Sequence, residues 1–230
     1  MDLNDKTKEQ YQSDSSAKKY YMTSIGKYRG KLKETLYSIY IAKYISYRER
    51  LIVNLMLKNI HPKTILDAPC GTGKLAYELT EINSQITCAD ISNSMISIAK
   101  EVYNIIGYKA VKFIQVDLEF TSERINETFD VIVCLRLMQR LTTLKQEIIL
   151  REFSNISDFL IVSFALENNY HRMRRFFRRI LFGGSDLYRS LQKSKKETER
   201  IIKQTHHIIQ VKPVSRGLSS EWLYFLKTRN

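Results

Sequence analysis

Apolar side chains recur at helical spacing in the first quarter of the chain. Across residues 22–57 they return every three or four positions, which predicts an amphipathic helix. A second helix is predicted over residues 49–59, and it should end before Pro62, because the residue preceding a proline disfavours helical backbone. Residues 1–20 are polar, so we expect a frayed segment followed by a helical cap.

Beyond Pro62, short apolar runs alternate with helical patterns. The predicted strands are 64–67, 85–90, 111–116, 129–135, 159–164, 208–214 and 222–226. The predicted helices are 74–81, 94–103, 142–153 and 197–204. Strands connected through helices pair in parallel, whereas the last two runs are joined by a short turn and should be antiparallel. The pattern therefore predicts an α/β fold with helices on both faces of a sheet.

A glycine-rich turn follows the first predicted strand and carries the main chemical signal. A P-loop would need glycine at position 68 and serine or threonine at position 75, and neither is present. The dinucleotide pattern is met formally by Gly71, Gly73 and Ala76. However, the carboxylate of Asp67, at the mouth of the turn, would repel a pyrophosphate and would suit a cationic amino group.

The stretch ILDAPCGTGK, residues 65–74, resembles motif I of class I S-adenosylmethionine-dependent methyltransferases, and the resemblance extends over residues 62–165. Asp90 ends the second strand, where an acid can accept hydrogen bonds from both ribose hydroxyls. Asp117 matches the position that meets the adenine amino group. Strand 129–134 resembles motif IV, whose following loop borders the methyl group.

The resemblance implies S-adenosylmethionine as the cofactor and a site at the carboxyl ends of the first four strands. The cofactor-binding residues that it implies are Asp67, Ala68, Gly71, Gly73, Asp90, Ile91, Met95, Asp117, Leu118 and Cys134. It also implies a seven-strand sheet, mostly parallel with an antiparallel last strand. Residues 1–60 would form the polar segment and helical cap, and residues 61–230 the methyltransferase domain, with a basic insertion at about 165–190. We expect Asp90 to face an open cleft.

Composition and cysteine spacing bear on the compartment of the protein and on whether it binds a metal. Hydrophobic residues make up 43% of the chain, and no apolar stretch is long enough to span a membrane. The start of the sequence lacks the apolar core of a secretory signal, so we expect a cytoplasmic protein. Cys70, Cys88 and Cys134 form no CxxC pair, so we expect buried, reduced thiols and no metal site.

The formal net charge is +13, and the basic residues concentrate at the two ends of the chain. Residues 171–200 hold ten Lys and Arg but three Asp and Glu. Arg172, Arg175 and Arg179 fall on one helical face, which fits a phosphate-bearing acceptor, a membrane surface or RNA, or a solvated face alone. Tyr170 and His171, at the start of this basic stretch, are the candidates for a general base.

The loop after the fourth strand resembles the His-His-Leu segment of small-molecule methyltransferases, with Gln139 and Arg140 in the histidine places. Arg136 and Gln139 are predicted to contact the acceptor. The sequence thus predicts a methyltransferase acting on a small, sugar- or lipid-linked, anionic acceptor. An RNA methyltransferase and a catalytically silent cofactor-binding partner subunit stay open as alternatives, and the oligomeric state is not predicted.

Overall fold

The computed structural model describes residues 32–167, 173 and 193–229. Within these ranges the chain forms seven strands. They are β1 (Thr64–Asp67), β2 (Gln85–Asp90), β3 (Val111–Gln115), β4 (Phe129–Cys134), β5 (Ser157–Ala165), β6 (His206–Pro213) and β7 (Glu221–Thr228). The ends of each strand lie within three residues of the predicted ends. Apolar runs locate a strand more reliably than they locate its first and last residues.

The described α-helices are α1 (Leu32–Ile60), α2 (Ala76–Thr80), α3 (Asn93–Ile106), α4 (Thr121–Arg124), α5 (Thr143–Ile156) and α6 (Lys195–Ile202). Two short 3₁₀ turns lie at Leu118–Phe120 and Met138–Arg140. The prediction of two overlapping helices before Pro62 was wrong, because α1 is one continuous helix of 29 residues. It contains neither glycine nor proline, so nothing in its backbone chemistry interrupts it.

The described strands form one sheet in the order β3-β2-β1-β4-β5-β7-β6. Strands β1 to β5 pair in parallel, and β7 runs antiparallel to both β5 and β6. This confirms the predicted seven-strand sheet with its reversed last strand. The chain changes direction of travel between β1 and β4, which opens the crevice where ligands bind in α/β sheets.

Both faces of the sheet are covered by apolar side chains. In the central strand β4, Val131, Ile132 and Val133 are fully buried, as expected for a strand with helices on both sides. The second half of α1 contributes Val53 and Leu57 to the core on one face, and this helix packs against α2 and β7. Burial of each such side chain contributes about 1.5–3 kcal/mol. The end of α1 is thereby fixed beside the sheet.

The direction of β7 decides which residues reach the functional edge of the sheet. Because β7 is antiparallel, its first residue, Glu221, lies opposite Ala165 at the carboxyl end of β5. The start of β6, at His206 and His207, pairs with the end of β7 at the opposite edge. Among the described helices, none is long and apolar enough to cross a membrane.

Candidate active site

The turn after β1 is shaped by two glycines with different surroundings. Gly71 and Gly73 have φ angles of +53° and +70°, which L side chains rarely adopt. A Cβ atom on Gly73 would lie 3.3 Å from Cα of Ala99 in α3, so this glycine permits close packing of the turn on the helix. A Cβ atom on Gly71 would meet nothing within 4 Å, so its backbone borders open space that a ligand can enter.

Asp67, at the carboxyl end of β1, is a buried acid with an unsatisfied oxygen. The residue is 2% exposed, and its Oδ2 atom has no hydrogen-bond partner among the described residues. Burial, and then the nearby charge of Asp90, raise the pKa of Asp67 to about 8. A cationic donor would complete the hydrogen bonding of this carboxylate and restore its charge.

Asp90, at the end of β2, connects two loops. Its Oδ2 accepts a hydrogen bond from the Gly71 N–H at 2.9 Å, and its Oδ1 accepts one from the Ser92 N–H at 2.9 Å. The expectation that Asp90 faces an open cleft was wrong, because the residue is 6% exposed. Burial raises its pKa, and the bonds from Ser92 and Gly71 oppose that rise. The carboxylate therefore positions the glycine turn as well as bordering the site.

The remaining predicted cofactor residues lie along the same carboxyl edge. Ile91 and Met95 are half-buried, beside Asp90 and in the first turn of α3, so both keep surface for an apolar ligand group. Asp117 follows β3 and caps the short turn after it, accepting a hydrogen bond from the Glu119 N–H at 3.2 Å. Leu118 is buried in the core.

Ala68 and Cys134 occupy the floor of the site. The Ala68 N–H donates to the Val133 carbonyl at 3.0 Å, which joins the turn to β4. Cys134 is fully buried, and burial followed by the charge of Asp67 raises the pKa of its thiol. Only the backbone of Cys134 can therefore border a ligand. Cys70 and Cys88 are also buried and free, as expected.

The loop after β4 is held in an unusual backbone conformation. Arg136 has a φ angle of +59°, a conformation that costs a non-glycine residue about 1–3 kcal/mol. Its N–H donates to Oγ of Ser163, on the neighbouring strand β5, at 2.6 Å. This bond helps to stabilise the strained turn, which directs the arginine side chain toward the carboxyl edge of the sheet.

The Arg136 side chain joins two acidic residues from distant parts of the chain. Its Nη2 lies 2.6 Å from Oε2 of Glu49 in α1, and its Nε donates to the same oxygen at 2.9 Å. Its Nε lies 3.7 Å from Oε1 of Glu221, at the start of β7. Gln139 donates to that Glu221 oxygen at 3.2 Å. We call Glu49, Arg136, Gln139 and Glu221 the edge cluster.

The edge cluster contains polar atoms that are not fully satisfied. Glu49 is 4% exposed, and its Oε1 has no hydrogen-bond partner among the described residues. Burial raises the pKa of Glu221 to about 6, although the charge of Arg136 opposes the rise. Lys74, in the turn before α2, is close enough to interact with the charges of this cluster. Burial, and then the charge of Arg136, lower the pKa of Lys74. The cluster thus combines basic and acidic groups at one site.

Two predicted acceptor residues, Arg136 and Gln139, are brought together in the edge cluster, and their role in acceptor binding stays a prediction. The predicted base candidates Tyr170 and His171, and the arginines Arg172 and Arg175, lie outside the described residues.

The sequence patterns did not predict that Glu49 and Glu221 lie at this site. Glu49 interrupts the apolar face of α1 that includes Ile45, Ile52 and Val53. A charge in such a face requires a partner when buried, and this pattern was the available signal. Glu221 gave no such signal, because its position depends on the reversed direction of β7.

Comparison with known proteins agrees with this geometry. Residues 65–157 match the model of a methyltransferase domain family. Malonyl-[acyl-carrier protein] O-methyltransferase of Geobacter sulfurreducens is 32% identical over 111 residues, which is 47% of this chain and 40% of that protein. The chloroplastic magnesium protoporphyrin IX methyltransferase of Arabidopsis thaliana is 26% identical over 165 residues, covering 70% of this chain and 50% of that protein. The chain thus spans about half the length of these relatives or less.

A solved structure of magnesium protoporphyrin IX methyltransferase from Synechocystis PCC 6803 with bound SAH has the same fold. It superposes with a TM-score of 0.67 at 19% identity, covering 81% of this chain and 84% of that one. The sheet order and the glycine turn define the class I methyltransferase fold. The chain thus has the class I methyltransferase fold, and its residues 65–157 match a methyltransferase domain, which confirms the resemblance seen in its sequence.

Proposed function

We propose that this protein is an S-adenosylmethionine-dependent methyltransferase that acts on a small, sugar- or lipid-linked acceptor carrying negative charge. The observation that carries the proposal is the buried, unpartnered oxygen of Asp67 beside a glycine turn that borders open space. When bound, S-adenosylmethionine supplies a methyl group activated by its sulfonium sulfur. Asp67 would accept from the cationic amino group of the cofactor, which is the donor that its Oδ2 atom lacks.

The other residues of the turn fit the same ligand. Gly71 would let the cofactor approach the backbone, and the carboxylate of Asp90 retains lone pairs for ribose hydroxyls after bonding two N–H groups. Ile91 and Met95 would contact the apolar faces of the adenine, and Asp117 its amino group. The chain's contribution to rate is to align the acceptor and exclude water, and alignment alone can lower a barrier by ~7–11 kcal/mol.

The negative charge of the acceptor is supported by the cations at the carboxyl edge. Arg136 and Lys74 are close enough at this edge for their charges to interact, and Arg140 belongs to the same loop as Arg136. The segment 171–200, which follows β5 in the sequence, also carries an excess of basic residues. One curated relative is named as an O-methyltransferase, which supports oxygen as the accepting atom.

Calorimetry tests the cofactor part of the proposal. We expect S-adenosylmethionine and its demethylated product to bind more tightly than NAD, because their cationic amino group can pair with Asp67 and a pyrophosphate cannot. The Asp67→Asn variant, which keeps the size of the side chain, should bind both sulfur ligands more weakly. Tighter binding of NAD than of either sulfur ligand contradicts the assignment.

Isotope transfer tests the acceptor part. Cell extract is incubated with the protein and methyl-¹³C-labelled S-adenosylmethionine, and the small-molecule, lipid and RNA fractions are analysed by mass spectrometry. We expect label in an anionic small molecule or lipid. Label in the RNA fraction alone would contradict this acceptor class and identify an RNA methyltransferase. Cofactor binding with no labelled fraction would identify a catalytically silent partner subunit.

A further inference from the structure

The described histidines are all remote from the carboxyl edge where methyl transfer is proposed. His61 precedes β1 and His206 and His207 begin β6, so all three lie at the amino edge of the sheet. A hydroxyl acceptor requires a group that takes its proton as the methyl group is transferred. Among the described residues at the carboxyl edge, the carboxylates of the edge cluster, Glu49 and Glu221, are placed for that task.

We propose that Glu221 is the general base of this site and that the acceptor carries a hydroxyl group as its nucleophile. The inference rests on the proposed methyl transfer. The acceptor O–H bond breaks and its proton goes to a carboxylate oxygen of Glu221. The acceptor oxygen forms a bond to the transferred methyl carbon, and the electron pair of the broken carbon–sulfur bond stays on sulfur.

The geometry distinguishes Glu221 from Glu49. Oε2 of Glu49 accepts a hydrogen bond from Nε of Arg136 at 2.9 Å and lies 2.6 Å from its Nη2, and such charge-assisted contacts stabilise the carboxylate and weaken it as a base. Glu221 is 3.7 Å from the same guanidinium and accepts its short contact from the neutral amide of Gln139. Glu221 therefore keeps the greater affinity for a proton.

The charged groups around Glu221 also bring its pKa into a range that suits a general base. It is faced by Glu49 from α1, Lys74 from the turn after β1, and Arg136 and Arg140 from the loop after β4. Burial raises the pKa of Glu221 to about 6, and the negative charge of Glu49 adds to that rise. A base whose pKa lies near the working pH combines a usable deprotonated fraction with a strong pull on the proton.

Gln139 and Arg136 are positioning residues for this base. The amide of Gln139 donates to Oε1 of Glu221, which leaves the second carboxylate oxygen to accept from the acceptor. The strained backbone of Arg136 directs its guanidinium between Glu49 and Glu221, so the two acids share one cation. This arrangement holds Glu221 in place without neutralising it through a short ion pair.

The first test compares methyl transfer by wild type and Glu221→Gln, using methyl-¹³C-labelled S-adenosylmethionine and the acceptor identified by the extract experiment. We expect kcat to fall about 10²–10⁴-fold, the range for loss of a positioned base, while cofactor affinity is unchanged. Glu221→Asp should recover part of the loss. The matched control Glu127→Gln, which alters an exposed acid paired with Lys112, should keep wild-type kcat.

The second test needs no acceptor. The protein is labelled with ¹³C at glutamate carboxyl carbons, and the Glu221 resonance is identified by its disappearance in Glu221→Gln. We expect the resonance to titrate with a midpoint near the pKa of about 6. Glu49→Gln should move the midpoint to lower pH, because it removes a neighbouring negative charge. The acid limb of the kcat–pH profile should move in the same direction.

The outcomes separate the two proposals. If wild type transfers no label to any fraction, the proposed function and the base assigned to it both fail. If wild type transfers label and folded Glu221→Gln keeps more than about a tenth of its kcat, Glu221 is not the base. An acid limb that does not move in Glu49→Gln overturns the assignment in the same way, even if Glu221→Gln fails to fold. Loss of activity in His171→Ala, with Glu221→Gln active, identifies His171 instead.

Discussion

At the scale of single residues, the proposed cofactor contacts include two acids that are shielded from water. Asp67 and Asp90 are both nearly buried, and burial raises the pKa of each. They differ in hydrogen bonding, because Asp90 bonds two backbone N–H groups whereas Asp67 leaves one oxygen unpartnered. Their replacement should therefore have different consequences.

For Asp67→Asn we expect a change in the pH dependence of stability. The folded-state pKa of about 8 lies above the ordinary value of 3.8, so the folded protein holds a proton that the unfolded chain releases between these values. The stabilisation from this group is complete below the lower pKa and is lost as pH rises through the higher one. Urea unfolding of the ligand-free protein measures this effect. Between pH 5 and pH 8 the free energy of unfolding should fall less for the variant than for wild type.

Asp158→Asn, at an exposed position of β5, is the matched control and should decline with pH as wild type does. An Asp67→Asn protein that still loses as much stability as wild type between the two pH values would show that Asp67 is ionised in the ligand-free fold.

For Asp90→Ala we expect losses in both stability and cofactor binding. The variant leaves the N–H groups of Gly71 and Ser92 without their acceptor, and hydrogen bonds to charged groups contribute about 1.5–3 kcal/mol. We expect a decrease of that order in the free energy of unfolding and a similar weakening of cofactor binding by calorimetry. Asp90→Asn, which keeps one acceptor oxygen, should lose less. Unchanged stability in Asp90→Ala would contradict the bridging role.

At the scale of elements, the site depends on the contact of the glycine turn with α3. Ser92, two residues after Asp90, caps the start of α3, and Gly107 caps its end with a φ angle of +77°. These caps set the two ends of α3, and the position of α3 limits how closely the glycine turn can pack against it. Gly73 touches α3 and Gly71 does not, so the two glycines have separate tasks.

We expect Gly73→Ala and Gly71→Ala to separate packing from binding. Both variants place alanine at positive φ, which costs about 1–2 kcal/mol. Gly73→Ala should lose a further ~1–3 kcal/mol of stability, because its Cβ would press on the Ala99 backbone. Gly71→Ala should lose more cofactor affinity, since its Cβ enters the open space. Denaturant unfolding and calorimetry measure the two effects, and equal stability losses would contradict the packing difference.

At the scale of the whole molecule, the predicted cofactor contacts and the proposed acceptor site use different parts of the chain. The predicted cofactor contacts come from the ends of β1 to β4, whereas the edge cluster joins α1, the loop after β4 and β7. The basic segment 171–200 follows β5 in sequence and is expected to serve the acceptor. The two functions should therefore separate under mutation.

We expect charge reversal at Arg172, Arg175 and Arg179 together to abolish methylation of the native acceptor and leave cofactor affinity intact. Each exposed ion pair contributes only ~0.2–1 kcal/mol, so a triple change is specified. The ratio kcat/KM should fall more than kcat if acceptor binding is the main loss. Wild-type kinetics in the triple variant would indicate a solvated face and weaken the case for an anionic acceptor.

Consecutive residues of the sequence predict the order of strands and helices and most of the proposed cofactor contacts. Apolar periodicity identifies elements because burial selects for it, and the turn from Asp67 to Gly73 is local, so its chemistry is legible in consecutive residues. The continuity of α1 was missed, because a helical pattern of apolar residues does not show whether one helix or two lie beneath it.

The proposed acceptor side depends on contacts that form only in the folded chain. Glu49, Arg136 and Glu221 are separated by more than 80 residues, and they meet because β7 reverses direction and α1 packs beside it. The burial that raises the pKa of Glu221 and the bond from Gly71 to Asp90 arise from neighbours that are not adjacent in sequence. Local patterns carry no record of such contacts, since desolvation and charge pairing depend on which surfaces the folded chain brings together.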